Sequence, residues 1–373
     1  MSKVLFFDTV NSGHHFYYNY QVMKGAIKEN KALYVSSNIN KHDIDKLDKV
    51  NIDYLNINSN LKNVQLSNIS FLAKLIYIIK KNKIKNVHLL YVDSLLIALL
   101  IFFPIFYIFN INLTSTLHWV PGNKVKRAAL KFLLKIKVIK KLVVHGQYSR
   151  NKLLNENSDL SPSKIVSIPY PYLHTRSNSF AEINLENNLY RKPFLLAFGG
   201  LRYDKGIDIL LRSLKEISNE SFTLLIVGKE SYYTKKDIIK YVKEYSLENK
   251  VFYNLEYVTE SELNSYFNIS DVVILPYRKV FSGQSGPLTE AVARSKFVIG
   301  PRHGEIGFTI ENYGLGMTFE AEDYKDLSVK IKKFLLNKEI GNDKKIIENQ
   351  KKYQKMIDIK KFREDYLLFF NEA

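Results

Sequence analysis

Two short stretches of this chain carry residue types that could hold a nucleotide diphosphate. The first is Phe198-Gly199-Gly200-Leu201-Arg202-Tyr203-Asp204-Lys205-Gly206. It follows an apolar run, Phe194 to Phe198, that reads as a buried strand. It precedes Ile207 to Ile217, where apolar residues recur at helical spacing. Gly199 and Gly200 let backbone approach a ligand closely, and Arg202 and Lys205 set two cations beside them. Strand, glycine turn, cations and helix start together suit an anion, because a helix N-terminus presents unbonded amides and the positive end of its dipole. The second stretch is Ser282-Gly283-Gln284-Ser285-Gly286-Pro287-Leu288-Thr289-Glu290, between a strand (Val272 to Pro276) and a helix. Pro287 suits the first helical turn, where its missing N–H costs nothing. Ser285, Gly286 and Leu288 would then face the nucleotide, and Glu290 is placed to grip a ribose. A glycine turn alone reads as packing, and a lone glutamate near a helix start as a dipole-favoured surface residue. Lys205 before Gly206, and the presence of two such loops, favour a diphosphate held from both sides.

These loops need strands and helices to position them. Candidate strands of the first half are Val4 to Asp8, Ala32 to Val35, Val87 to Tyr91, Leu113 to Leu117, Leu142 to His145 and Ile165 to Ile168. Helical stretches lie between them, at Phe16 to Glu29, Ile69 to Lys81, Val125 to Lys135 and Ser149 to Leu154. Pro169, Pro171 and the polar stretch Ser177 to Asn188 interrupt the pattern. The second half resumes it with strands at Phe194 to Phe198, Thr223 to Val227, Val251 to Tyr253, Val272 to Leu275 and Phe297 to Ile299. Its helical stretches include Ile207 to Ile217, Asp237 to Tyr245, Glu260 to Phe267 and Leu288 to Ala293. Strict alternation argues for α/β folding with doubly wound parallel sheets, in which ligands bind beyond the strand C-terminal ends. We expect two Rossmann-like domains facing a central cleft. Residues 1–175 would form the first domain, 176–190 the linker, and 191–355 the second domain, which carries both glycine stretches. A helix in 356–373 would cross back to the first domain.

Composition narrows the partners. The 373 residues contain no cysteine, which excludes disulfides and thiolate metal sites. Met1 to Asp8 runs directly into a strand and reads as lacking a signal peptide. The apolar run Leu95 to Phe109, broken only by Pro104, is shorter than the roughly 20 residues of a membrane span and reads as a buried or interfacial helix. The formal charge of +18 suits an anionic surface or substrate. At helical spacing Lys124, Arg127, Lys131 and Lys135 share one face. That stripe reads either as a solvated face or as a contact with an anionic membrane. No nucleic-acid-binding module is recognised. Asp43-Ile44-Asp45 imitates a metal-binding pair but lies in a charged stretch, His42 to Lys49, that reads as a solvated face.

On these residues the chain resembles the retaining GT-B glycosyltransferases of the family 4, or glycosyl transferases group 1, type. The first loop is similar to the variant glycine-x-(Ile/Leu)-Arg-x-x-Lys-Gly, with Arg202 and Lys205 in the diphosphate positions. Asp271 to Tyr277 is similar to the family's aspartate, apolar strand, Pro-Tyr segment. The family's paired glutamates are seven residues apart; Glu290 matches the second, which binds ribose, and the first falls on Ser282. Asn11-Ser12-Gly13-His14-His15 resembles the glycine loop after the first strand, and Thr116-Leu117-His118-Trp119 the strand-end histidine set against the donor sugar. Val144 to Ser149 is similar to a further family segment. His303 and Glu305 lie on a loop where relatives contact the donor, whereas His88 and His145 read as structural.

The resemblance implies transfer of a sugar from a UDP- or GDP-sugar to a glycan or lipid-linked acceptor, with retention and with neither metal nor cofactor. By the same resemblance residues 1–175 would bind the acceptor and 191–355 the nucleotide sugar, and His118, Arg202 and Lys205 would act in catalysis. Gly13, Gly199, Gly200, Ser285, Gly286, Leu288, Glu290, His303 and Glu305 would bind the nucleotide sugar. The enzyme would work in the cytoplasm, at the inner face of the cell membrane. A sugar-nucleotide epimerase, a phosphorylase-like enzyme and a non-catalytic partner are the alternative readings, and Ser282 is the residue that favours the last.

Overall fold

The computed structural model describes residues 3–11, 14–27, 31–174, 180–183, 190–337 and 339–372. The chain divides into two compact units, Met1–Tyr170 with Ile359–Ala373, and Pro171–Asp358. The first runs β1 (Lys3–Phe7), α1 (His14–Ala26), β2 (Lys31–Ser36), α2 (Lys41–Asp48), β3 (Asp53–Asn56), α3 (Val64–Lys81), β4 (Asn86–Leu89), α4 (Leu96–Ile108), β5 (Asn112–Leu117), α5 (Lys124–Lys135), β6 (Ile139–Val144), α6 (Gln147–Asn155) and β7 (Ile165–Ser167). The second runs β8 (Phe194–Phe198), α7 (Ile207–Lys215), β9 (Thr223–Val227), α8 (Lys235–Glu244), β10 (Val251–Asn254), α9 (Glu260–Ile269), β11 (Val272–Ile274), α10 (Gly286–Ala293), β12 (Phe297–Pro301), α11 (Gly304–Tyr313), β13 (Gly316–Phe319), α12 (Tyr324–Leu336) and α13 (Lys344–Met356). The last helix, α14 (Ile359–Asn371), belongs to the first unit and packs on α1.

Both sheets are parallel and wound alike, in the orders β3-β2-β1-β4-β5-β6-β7 and β10-β9-β8-β11-β12-β13. Each therefore reverses direction beside its first strand, at β1/β4 and at β8/β11. That is the switch point beyond which such sheets bind ligands. Strands covered on both faces must be apolar throughout, and β9, Thr-Leu-Leu-Ile-Val, is buried at every position. In the first sheet alternate residues sort by face. Leu5 and Phe7 join a core with residues of α3, α4 and α5, while Phe6 and His88 meet Phe370 of α14.

The structure differs from the sequence reading in several places. β3 and β13 are strands the alternation did not show. β3 is an edge strand with one half-buried residue and no apolar face, and β13 is four residues long and begins at a glycine. The charged stretch at 42–49 is α2. Asp43 there is buried, closes the helix's capping box with Asn40, and accepts from Asn11 Nδ2 at 2.6 Å, so it is no solvated residue. The units change at Tyr170/Pro171 and Asp358/Ile359. Within 176–190, Ser265 bonds the Ala181 carbonyl at 2.8 Å, and Ile183 and Tyr190 pack on the second unit's core. Residues 175–179 and 184–189 of the expected linker lie outside the described residues.

Candidate active site

In the second unit, β8 is followed by Gly199 at φ +119°, a conformation that only glycine adopts freely. A Cβ there would lie 3.7 Å from Pro287 Cγ, so the turn after β8 sits against the start of α10. The two glycine stretches found in the sequence are thus neighbours in space. Gly206, at φ +63°, lies against the Pro276 carbonyl with no room for a side chain. Arg202, between these glycines, forks onto Asp204, Nε to Oδ1 at 2.9 Å and Nη2 to Oδ2 at 2.5 Å. Arg278 braces the same turn. Its amide donates to the Asp204 carbonyl at 2.9 Å, and its guanidinium donates to the Tyr203 carbonyl and to both oxygens of Asp208.

Lys205 is half-buried, with its Nζ 3.8 Å from the centre of the Tyr277 ring and 4.9 Å from that of Phe281. Ring faces attract a cation but hydrate it poorly. Desolvation, with the like charge of Arg202 and against the pull of Asp204, pushes the Lys205 pKa down to about 7. The Tyr277 and Ser285 hydroxyls are 3.0 Å apart, and Ser285 caps α10 by accepting from Leu288 N. Ser285 N donates to Gln284, while the amide of Gly286 has no bond among the described residues. It sits on the first turn of α10, close to the turn after β8. The turn after β12 also joins this cluster. Glu305 N donates to the Ser282 carbonyl at 3.1 Å, and Gly304 lies against the Ser282 backbone. His303 is the half-buried residue preceding α11, and Glu305 is buried.

Glu290 is buried, and both of its oxygens have protein partners. Oε1 accepts from Leu173 N at 3.0 Å, His174 N at 3.2 Å and His174 Nδ1 at 2.9 Å, and Oε2 from Arg294. Burial works against charge on this carboxyl. The His174 and Arg294 contacts outweigh it and hold the pKa below the usual carboxylate range. Burial opposes charge on His174 too, and Glu290 reverses that, so its pKa is raised.

In the first unit the end of β1 carries Asp8, which is buried. It accepts from Val10 N at 3.1 Å, Asn19 Nδ2 at 2.9 Å and His15 Nδ1 at 2.9 Å. The His15 ring stacks on Tyr91 at 4.1 Å, and Tyr91 stacks on His118 at 3.8 Å. His118 Nε2 lies 3.1 Å from the Leu90 carbonyl, which can only accept, so this nitrogen carries the proton. Asp93 takes the His118 and Trp119 amides, and burial still pushes its pKa up to about 6. His88 bonds Thr114 and Thr116, and His145 bonds the Ile168 carbonyl and the Tyr18 hydroxyl. Desolvation lowers their pKa values to about 3 and about 4, so both stay neutral. Gly13 lies outside the described residues. On α5, Arg127 pairs with Glu156 at 3.3 Å, and Lys131 and Lys135 approach Asp159 at 3.9 and 3.3 Å.

The sequence reading missed Tyr277 and Phe281 around Lys205, the Arg278–Asp208 brace, and the three partners of Glu290, Leu173, His174 and Arg294. Only Arg294 carried a local signal, its i+4 spacing from Glu290. His174 is 116 positions away and left none.

The fold of the chain is GT-B. A glycosyltransferase from Rickettsia africae ESF-5 is 22% identical, with 99% of this chain and 96% of that one covered and a TM-score of 0.69. Sucrose-phosphate synthase from Thermosynechococcus elongatus is 15% identical, covering 100% and 99%, with a TM-score of 0.77. HepE from Anabaena, solved with UDP and glucose, is 13% identical over 100% of both chains, with a TM-score of 0.75. No curated protein matches the chain significantly by sequence. Residues 180–353, which span most of the second unit, match the family model for glycosyl transferases group 1.

Proposed function

We propose that this protein moves a sugar from a UDP- or GDP-sugar to a hydroxyl of a glycan or lipid-linked acceptor, with retention, in cell-surface polysaccharide or glycoconjugate synthesis at the inner face of the membrane. The observation that carries this reading is the seating of the β8 turn on the start of α10, with Arg202 and Lys205 on that turn, inside the region that matches the group 1 family model. The UDP and glucose bound by HepE, a protein of similar fold, support a nucleotide-sugar donor.

As the bond from the anomeric carbon to the diphosphate breaks, negative charge gathers on the departing phosphate. Arg202, Lys205 and the Gly286 amide would oppose it, and charges preset for such a change are the usual source of large rate effects. The acceptor oxygen would bond the same face of that carbon and pass its proton to the leaving phosphate. No protein nucleophile and no metal is assigned. Gly199, Gly200 and Leu288 would let backbone approach the nucleotide, and Glu290 would meet the ribose through Oε2, which it shares with Arg294. His303 and Glu305 would contact the donor sugar, as would His118 and Gly13 from the first unit.

Incubation with UDP-, GDP- and ADP-sugars, with and without EDTA, tests this. Slow release of free sugar from one donor, unaffected by EDTA, is the expected result. Isomerised sugar would instead make the protein an epimerase, and nucleotide binding without turnover would make it a non-catalytic partner.

A further inference from the structure

We propose that the outward face of α4 docks on an anionic lipid bilayer. This deepens the membrane placement above by naming the surface, and it moves that surface from the α5 stripe to the helix beside it.

Apart from the Tyr107 hydroxyl, α4 carries no polar side chain. Its inner residues Leu96, Ala98, Leu99 and Phe106 are buried in the core shared with α3 and α5. Ile97, Ile101, Pro104 and Ile108 fall on the other face by helical spacing. Ile101 is 55% exposed, Tyr107 68% and Ile108 74%. A surface helix in water normally turns charged and polar residues outward. The apolar surface continues sideways through Tyr77 of α3 and Phe132 of α5, both exposed, with the Phe132 ring 5.4 Å from that of Phe103.

Cations rim this surface. Lys80 Nζ lies 4.5 Å from the Phe109 ring, Lys81 Nζ 5.9 Å from the Tyr77 ring, and Lys85 Nζ donates to the Phe109 carbonyl at 3.1 Å. From Ser94 to Asn155 the sequence has ten lysines and arginines and no acidic residue. On α5, three of the four stripe cations are engaged by Glu156 and Asp159. An apolar face bordered by lysines fits the headgroup boundary of an anionic bilayer.

Size and charge decide between occupants. The helix has 13 residues, about 20 Å, against roughly 30 Å of hydrocarbon, and no helix among the described residues is long and apolar enough to cross a membrane. It must therefore lie in the interface. A second copy of the chain is disfavoured, because a two-fold contact sets a patch on itself and would bring the lysine rims together. An anionic lipid surface pairs those lysines and covers the apolar face.

Co-sedimentation of the full chain with phosphatidylglycerol/phosphatidylcholine vesicles tests the proposal. It needs neither donor nor acceptor, so its failure leaves the transfer reading standing. At low salt the protein should bind these vesicles at least about tenfold better than pure phosphatidylcholine. Ile101→Asp with Ile108→Asp should lower binding about tenfold or more, as should Lys80→Glu with Lys81→Glu and Lys85→Glu. All substituted residues are exposed, and unchanged circular dichroism and donor hydrolysis would confirm the fold. Lys235→Glu with Lys236→Glu and Lys240→Glu, on α8, should bind as the unaltered protein does. The proposal is overturned if the unaltered protein ignores anionic vesicles at low salt. It is also overturned if the isoleucine variant binds undiminished, if the α8 variant loses as much, or if the face only joins two copies.

Discussion

At the switch point of the second unit, between β8 and β11, the turn is glycine-rich and its side chains are ions: Arg202, Asp204, Lys205, Asp208 and Arg278. At the switch point of the first, between β1 and β4, one buried carboxylate, Asp8, is followed by rings and hydroxyls: His15, Tyr91, His118, Tyr18 and His145. The sheets are wound alike, so topology supplies the location in both and the residues decide its chemistry. Glycine in the second unit lets backbone reach a neighbouring helix start, and charges at its mouth stay partly solvated. In the first unit, desolvation keeps His88 and His145 neutral among the Thr114, Thr116 and Tyr18 hydroxyls they bond.

The largest expected effect separates a charged network from a neutral one. Glu290→Ala leaves the Arg294 guanidinium and the His174 donors without their carboxylate and should destabilise the second unit by about 3 to 5 kcal/mol. Tyr18→Phe removes a hydroxyl shared by His145 and Tyr366 and should cost the first unit about 1 to 2 kcal/mol. Hydrogen exchange resolved to each unit during urea unfolding measures both, and equal losses would erase the contrast.

Next comes nucleotide affinity. Lys205→Ala removes a charge-assisted bond to the diphosphate and should weaken UDP or GDP binding by about 1.5 to 3 kcal/mol, roughly ten- to a hundredfold. Arg202→Ala should weaken it less, because Asp204 already holds the guanidinium. His118→Ala, in the first unit, should leave nucleotide affinity alone and slow turnover of the donor sugar. Calorimetric titration reads the affinities; unchanged binding in both loop variants would remove the diphosphate site.

The smallest effect is a pH slope. With its pKa near 7, Lys205 is largely neutral above that value in the free protein and must take up a proton to pair with a diphosphate. Affinity for a nucleotide sugar should be flat below pH 7 and fall as pH rises above it, by at most about tenfold per unit. Lys205→Ala should abolish the slope. A slope that persists in this variant would assign the titration elsewhere.

Much of the architecture was legible because its signals are local. β8 and β9 fall on their apolar runs, and the first glycine stretch, strand to helix, is continuous in sequence. α11 escaped notice because Gly304 and Gly307 break its helical pattern; its first turn is instead held on the Ser282 loop. Glu290 was legible as a carboxylate near a helix start; the structure puts it one turn further on, fifth in α10, and already occupied.

By itself the sequence determined two alternating α/β halves, a glycine turn with cations in the second, and an excess of positive charge. Apolar period, glycine placement and charge are properties of neighbouring residues and survive in a linear reading. Tertiary structure alone decided that Tyr277 and Phe281 desolvate Lys205, that Leu173 and His174 engage Glu290, and that the apolar helix α4 turns Ile101, Tyr107 and Ile108 to solvent. Each of these depends on groups far apart in the chain, or on which face a neighbour covers. A pKa, a satisfied carboxylate and an exposed face exist only once those distant groups have met.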